Sequence, residues 1–332
     1  MANQQRSSEE ENVQRLFLLR EVRCKRLTPE AVSPGRKAVG KDIVCASWKH
    51  EEVFEKTARV AACPGERRLL ADRNQEDFLN RGLTGKDWMA FCRERTENNR
   101  CRARDIVARM EKSETRLVRW GDEEYPESLR ETFDAPLALY VRGDPMPDCP
   151  LAGIVGARRG TPYGFTMAEK FGRYLGEKGI GIVSGLAMGC DARAQKGALR
   201  GNGYTVAVLG CGTDICYPKE NFPLFIEILQ KGGNIISEYP PGTRPAKWRF
   251  PERNRIIAGM SACLLVMEAG ERSGTRITAD RALEAGRDVY ALPGRVDMPL
   301  SAGCNDLIRQ GADILSTPED LFLRAFGIKY SV

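Results

Sequence analysis

The chain has 332 residues, of which 42% are hydrophobic and 29% charged, and its formal net charge is +6. These values are typical of a globular protein with two folded units, and no apolar run is long enough to cross a membrane. The polar N-terminus lacks the features of a signal peptide, and the eleven cysteines lack metal-site spacing. With His50 as the only histidine, most catalytic triads are excluded. We expect reduced thiols, a cytoplasmic location, no membrane insertion and no cofactor or metal.

Residues 1–115 are predicted to form a small helical N-terminal domain, because apolar residues recur at helical spacing in residues 12–19 and 103–110. Residues 116–150 form a predicted bridge with short strands around residues 117–118 and 137–141. Prolines at positions 145, 147 and 150 mark its end. Residues 321–332 are expected to be a short tail without a winged-helix domain.

From Leu151 onward, short apolar strands alternate with amphipathic helices. Strands are predicted at residues 152–155, 180–183, 205–209, 234–237, 263–267 and 289–292, and helices at residues 162–178, 191–199, 222–230, 255–259, 275–285 and 304–309. This alternation predicts an α/β, Rossmann-like fold over residues 151–320, with a mostly parallel sheet and helices on both faces.

The carboxyl edge of such a sheet is where ligands bind, but the residues there do not fit a dinucleotide. The first strand leads into Gly156-Ala157-Arg158 rather than a Gly-x-Gly-x-x-Gly turn. The second ends in Ser184-Gly185, where an acid that binds ribose would be expected. No P-loop sequence occurs in the chain.

Several groups at this edge suit phosphate instead. Arg158 can present a guanidinium fork to phosphate oxygens. Ser184-Gly185 and Ser273-Gly274-Thr275 each place a hydroxyl and backbone amides at the start of a helix, an arrangement that favours anions. Glycine at such a turn is often required only for steric reasons, so a single turn of this kind is weak evidence. The repetition of these groups along one edge of the sheet is what indicates a site.

Residues 244–255 contain five basic residues, two aromatic residues and one acid. Cations interleaved with aromatic rings are typical of single-strand binding, because the backbone is neutralised while bases stack. The alternative interpretation is a surface loop in which Trp248 and Phe250 anchor the chain and the arginines cap helices.

The order of these motifs resembles the DprA/Smf family of DNA-processing proteins over about residues 116–315. The matching segments are Gly156-Ala157-Arg158 and residues 184–191, 206–212, 237–242, 250–259 and 268–275. This sequence departs from the family at Ala157, Cys190 and Gln195, where serine, isoleucine and histidine are common.

The resemblance implies a dimeric, non-catalytic protein that binds single-stranded DNA and loads the recombinase RecA during natural transformation. By position, Arg158 and Lys247 would bind phosphates and Phe250 would stack on a base. Arg253, Asn254 and Arg255 would line the same pocket. Residues 288–315 would provide an apolar surface for a homodimer.

Two other functions remain open at this point. Glu268 and Asp191 could serve as the carboxylate pair of a nucleotide-binding enzyme such as a nucleoside-monophosphate phosphoribohydrolase, although the Pro-Gly-Gly-x-Gly-Thr turn of those enzymes is absent. The chain could also be an interaction protein that contacts RecA without strong DNA binding.

Overall fold

The computed structural model describes residues 97–271 and 273–327. The described residues fall into two compact units, one with residues 97–112 and 117–123 and the other with residues 113–116, 124–271 and 273–327. In the first unit, helix α1 (Glu97–Lys112) contains the predicted helical segment at residues 103–110 and buries Val107 and Met110. The rest of the predicted helical N-terminal domain, including His50, lies outside the described residues. The predicted domain boundaries stay predictions.

The larger unit alternates strands and helices along the chain. The remaining helices are α2 (Glu127–Arg130), α3 (Pro162–Glu177), α4 (Cys190–Arg200), α5 (Phe222–Gln230), α6 (Arg249–Met260), α7 (Gly274–Glu284), α8 (Ala302–Arg309) and α9 (Pro318–Ala325). The strands are β1 (Thr115–Arg119), β2 (Ala138–Arg142), β3 (Leu151–Val155), β4 (Gly181–Ser184), β5 (Thr205–Leu209), β6 (Asn234–Ser237), β7 (Cys263–Val266), β8 (Asp288–Ala291) and β9 (Asp313–Ile314).

The strands form one nine-stranded sheet in the order β1-β2-β6-β5-β4-β3-β7-β8-β9. In the stretch β6-β5-β4-β3-β7-β8-β9 each strand is parallel to its neighbours, whereas β2 is antiparallel to β6. The predicted α/β, Rossmann-like fold with a mostly parallel sheet is therefore confirmed. The strand order reverses between β3 and β7, which creates a crevice at their carboxyl ends.

Helices cover both faces of the sheet. Every residue of β4, β5, β6 and β7 is buried, and because successive side chains point to opposite faces, both faces must be packed. Ile154 and Ile182 share a buried cluster with Phe171 of α3 and Leu321 of α9. Helix α6 contacts β3, β4 and β5, whereas α7 contacts β7 and β8.

Helices α3 and α4, which begin beyond the carboxyl ends of β3 and β4, pack unusually closely. A Cβ atom on Gly172 of α3 would overlap the carbonyl oxygen of Ala194, and one on Gly197 of α4 would overlap that of Glu169. Only glycine lets the two backbones approach this far. The glycines thus fix where both helices begin relative to the sheet edge.

Three helices differ from the sequence predictions, the first being α2, which lies in the bridge where only short strands were predicted. Helix α6 begins at Arg249, six residues before the predicted start, because Pro251 lies in the first turn, where a missing backbone N–H costs no hydrogen bond. Helix α9 crosses the predicted boundary at residue 320, and Leu321 and Phe326 are buried. No helix in the described part of the chain is both long and apolar enough to span a bilayer.

Candidate nucleic-acid interface

A cleft of about 470 Å³ opens at the carboxyl ends of β3 and β7. It lies at the point where the strand order reverses, as expected for ligand sites in open α/β sheets. Of the eleven residues predicted from the sequence to contact nucleic acid, eight line it: Arg158, Lys247, Phe250, Arg253, Asn254, Ser273, Gly274 and Thr275.

One wall of the cleft is a single face of α6. Phe250, Arg253, Asn254 and Ile257 all line the cleft, and their spacing of three, four and seven residues places them on one side of a helix. This arrangement depends on the early start of α6, because a helix beginning at residue 255 would leave Phe250 and Arg253 outside it. The basic and aromatic segment is therefore partly helical rather than a surface loop.

The cleft contains an aromatic pair that the sequence interpretation missed. The ring of Tyr217 stacks against that of Phe250, with centroids 5.4 Å apart and planes inclined by 29°. Tyr217 is 42% exposed. Gly210 makes room for Phe250, because a Cβ there would lie 3.0 Å from the phenylalanine ring. Tyr217 belongs to a loop, where no periodicity of the sequence relates it to the cleft.

Two basic side chains at the cleft are placed to interact with an anionic ligand. Arg158 and Lys247 are exposed, and within the described residues neither has a carboxylate oxygen within 4.0 Å. The guanidinium carbon of Arg158 lies 5.4 Å from the centroid of the Phe250 ring. Cations without a paired acid give the cleft a positive potential that attracts anions.

Arg253 is buried beneath the cleft and connects α6 to the segments of β4 and β5 by hydrogen bonds. Its Nη1 donates a hydrogen bond of 2.9 Å to the carbonyl oxygen of Gly185 and a second bond to that of Val208. Burial lowers the pKa of Arg253 to about 10, although nearby Asp191 opposes the shift. Arg253 therefore remains charged at neutral pH.

Asp191 balances that charge from the start of α4. Its Oδ2 accepts a hydrogen bond of 3.1 Å from the backbone N–H of Gly185. Burial raises the pKa of Asp191, while Arg253 and the backbone hydrogen bonds oppose the increase. The Gly185 amide, predicted from the sequence to face an external anion, is thus occupied by a carboxylate of the same chain.

The other predicted residues lie away from the cleft walls. The Ser184 hydroxyl is fully buried and donates to the carbonyl oxygen of Ile154 at 2.6 Å. Arg255 projects from a different side of α6 and pairs with Glu238 at 2.7 Å and Asp134 at 3.5 Å. Ser184, Gly185 and Arg255 therefore hold the structure around the cleft together.

The start of α7 forms the wall opposite α6. The Ser273 hydroxyl accepts a hydrogen bond of 3.1 Å from the backbone N–H of Thr275, which caps the helix. Gly274 is exposed, so its backbone can be approached closely. The positive end of the helix dipole adds to the potential produced by Arg158 and Lys247.

A model of the family described as DNA recombination-mediator protein A matches residues 116–325 of this chain. The chain belongs to this family. The match includes every residue of the cleft. Protein Smf of Synechocystis sp. is 44% identical over 205 residues, which is 60% of this chain and 51% of that protein. The chain thus spans about half the length of that relative.

Two solved structures share the fold. The X-ray structure of DNA processing protein A from Streptococcus pneumoniae has a TM-score of 0.67 at 32% identity and covers 87% of this chain and 99% of that one. A structure of DNA processing protein A from Helicobacter pylori has a TM-score of 0.57 at 29% identity, covering 65% and 98%. The Helicobacter pylori structure describes a single-stranded DNA binding mode of that protein.

We predict that Arg253→Met will destabilise the larger unit by about 3–5 kcal/mol, because it leaves the buried carboxylate of Asp191 without its counter-charge. The double variant Arg253→Met with Asp191→Asn should recover part of the loss, since asparagine can still accept the hydrogen bond from Gly185. Urea unfolding of the single and double variants measures both values. Equal stability of the double variant and Arg253→Met would contradict a coupled pair.

Proposed function

We propose that this chain binds single-stranded DNA in the cleft without catalysing a reaction. The observation that carries the proposal is the combination of two unpaired cations, Arg158 and Lys247, with the half-buried Phe250 ring and the exposed Tyr217 ring on the walls of one cleft. The cations would neutralise phosphates and the rings would stack on a base, which is how proteins bind a strand without reading its sequence. The single-strand binding of the Helicobacter pylori relative supports the same assignment.

The positions of the two carboxylates favour binding over hydrolysis. Glu268 is buried and accepts hydrogen bonds from the backbone N–H of Thr161 at 2.8 Å and from its hydroxyl at 2.5 Å. It thereby caps the N-terminus of α3. Asp191 is bound to Gly185 and opposes Arg253. Both acids of the alternative phosphoribohydrolase site are therefore engaged in internal contacts.

The alternative of an interaction protein with weak DNA binding is less well supported. Exposed aromatic side chains and unpaired cations could also mark a protein interface. However, these groups line a cleft beside a helix N-terminus, and a narrow positive cleft suits a polyanionic strand better than a flat protein surface does.

We predict that Arg158→Ala and Phe250→Ala will weaken DNA binding in different ways. Loss of a phosphate contact should reduce the dependence of log affinity on log salt by about 0.7. Loss of a stacked base should weaken binding about 5- to 100-fold with little change in that slope. Fluorescence anisotropy with labelled single-stranded and double-stranded oligonucleotides at several salt concentrations measures both effects.

The matched control is Arg159→Ala, which removes an equally charged, exposed neighbour that does not line the cleft. It should bind nearly as well as the wild type. If all of these proteins bind equally, or if none prefers the single strand, the proposed cleft is wrong.

Dimerisation is part of the proposal, through the surface near residues 288–315. Strand β9 is at the edge of the sheet, and Ile314 on it is 50% exposed. Leu323 of the adjacent segment is also exposed. An edge strand with apolar side chains is a common place for two copies to meet.

We predict that the wild type will sediment as a dimer and that Ile314→Asp will shift it toward a monomer, because a carboxylate would lose hydration in the interface. Analytical ultracentrifugation over a range of concentrations measures the equilibrium. A wild-type monomer at every concentration would overturn this part of the proposal.

We also propose that the chain loads RecA onto single-stranded DNA during natural transformation, which implies a cytoplasmic location. Wild-type protein should shorten the lag before RecA hydrolyses ATP on a single strand that is already coated by a single-strand-binding protein, and Arg158→Ala should not. Intact DNA binding with an unchanged lag would limit the function to strand binding.

A further inference from the structure

Trp248 is a large exposed aromatic residue beside the cleft but not in it. It directly precedes α6, is 54% exposed and is absent from the cleft walls. A separation of two residues places it about 200° around the helix axis from Phe250. Trp248 and Phe250 therefore present their rings on opposite sides of the same helix start.

The Trp248 ring is held in place by a layered packing arrangement. The guanidinium carbon of Arg249 lies 4.8 Å from the centroid of Trp248 and 4.8 Å from that of Tyr239. The Tyr239 and Trp248 rings meet edge to face at 6.2 Å. Tyr239 is buried, and its hydroxyl donates to Glu252 at 2.7 Å. These contacts orient Trp248 before any ligand binds.

The guanidinium group of Arg249 places a positive charge against the Trp248 ring. Within the described residues it has no carboxylate oxygen within 4.0 Å, and its Nη1 donates to the backbone carbonyl of Arg244. Lys247 is exposed and lies next to Trp248 in the chain. An oriented ring with a cation on one face and a second cation beside it combines the two features that bind a nucleotide in a single strand.

We propose that Trp248, supported by Arg249, stacks on a second base of the strand held in the cleft. The strand would leave Phe250, pass Lys247 and reach Trp248 across the start of α6. This inference rests on the proposed function, because it extends the same bound strand beyond the cleft. A buried anchor would not leave more than half of the tryptophan exposed.

The test compares Trp248→Leu, which keeps an apolar side chain, with Trp248→Phe, which keeps an aromatic ring. Trp248→Leu should weaken binding about 5- to 100-fold for strands long enough to reach beyond the cleft. Its affinity for the shortest strands that bind should be unchanged, and Trp248→Phe should restore most of the lost affinity. Anisotropy with a series of oligothymidylates of increasing length measures these effects.

The control is Phe222→Leu, an aromatic residue that is also 54% exposed, stacks on Phe225 at 6.3 Å and lies outside the cleft walls. It should bind as the wild type at every length. Thermal unfolding of each variant establishes that the fold is retained.

The possible failures can be separated. If Phe250→Ala weakens binding but Trp248→Leu matches the wild type at every length, the second stacking position is wrong and the cleft stands. Equal losses for Trp248→Leu and Trp248→Phe, or a loss on the shortest strands, would also overturn it. A wild type that binds no single strand overturns both proposals.

Discussion

The cleft depends on one buried cation. Arg253 reaches from α6 to the carbonyl oxygen of Gly185, which follows β4, and to that of Val208, which lies within the neighbouring strand β5. A Cβ on Gly185 would lie 2.5 Å from the guanidinium nitrogens, so glycine is required for this close approach. Burying a guanidinium is expensive unless its donors are satisfied and its charge is balanced. The two carbonyls accept from Nη1 and the charge of Asp191 opposes that of the guanidinium, although the buried Nε has no acceptor among the described residues. These contacts orient α6 so that Phe250 and Asn254 face the cleft.

Basic residues of the predicted site consequently have separate roles. Arg255 faces the carboxylates of Glu238 and Asp134; burial lowers its pKa, but their charges outweigh that effect and raise it. Arg158 and Lys247 lie at the exposed rim, where no described carboxylate pairs with them. An arginine already paired with two acids would gain little from a phosphate, whereas an unpaired one gains a charge-assisted hydrogen bond. Composition alone does not separate these classes, because the difference depends on whether carboxylates from distant parts of the chain, such as Glu238 and Asp134, lie beside the cation.

This explains how far the sequence could predict the site. Strands 205–209 and 234–237 and helix 222–230 have the predicted bounds, since local apolar patterning determines them. The location of the site at the carboxyl edge of the sheet and the inclusion of Arg158 follow from the same pattern, whereas the strand order was not predicted. The start of α6 could not be predicted, because Pro251 reads as a helix breaker unless it lies in the first turn. The roles of Ser184, Gly185 and Tyr217 also escaped prediction, since each depends on contacts with residues far away in the sequence.

The arrangement of charges and rings favours strand binding without a sequence preference. Phosphate contacts through Arg158 and Lys247 would release counterions and weaken with salt, whereas stacking on Phe250 or Trp248 depends little on salt. Every base has a flat face, so neither type of contact distinguishes one base from another. Because Lys247 lines the cleft and directly precedes Trp248 in the chain, one phosphate contact would connect two stacking positions. Once the first base is held, the second contact becomes intramolecular, which raises affinity without requiring base recognition.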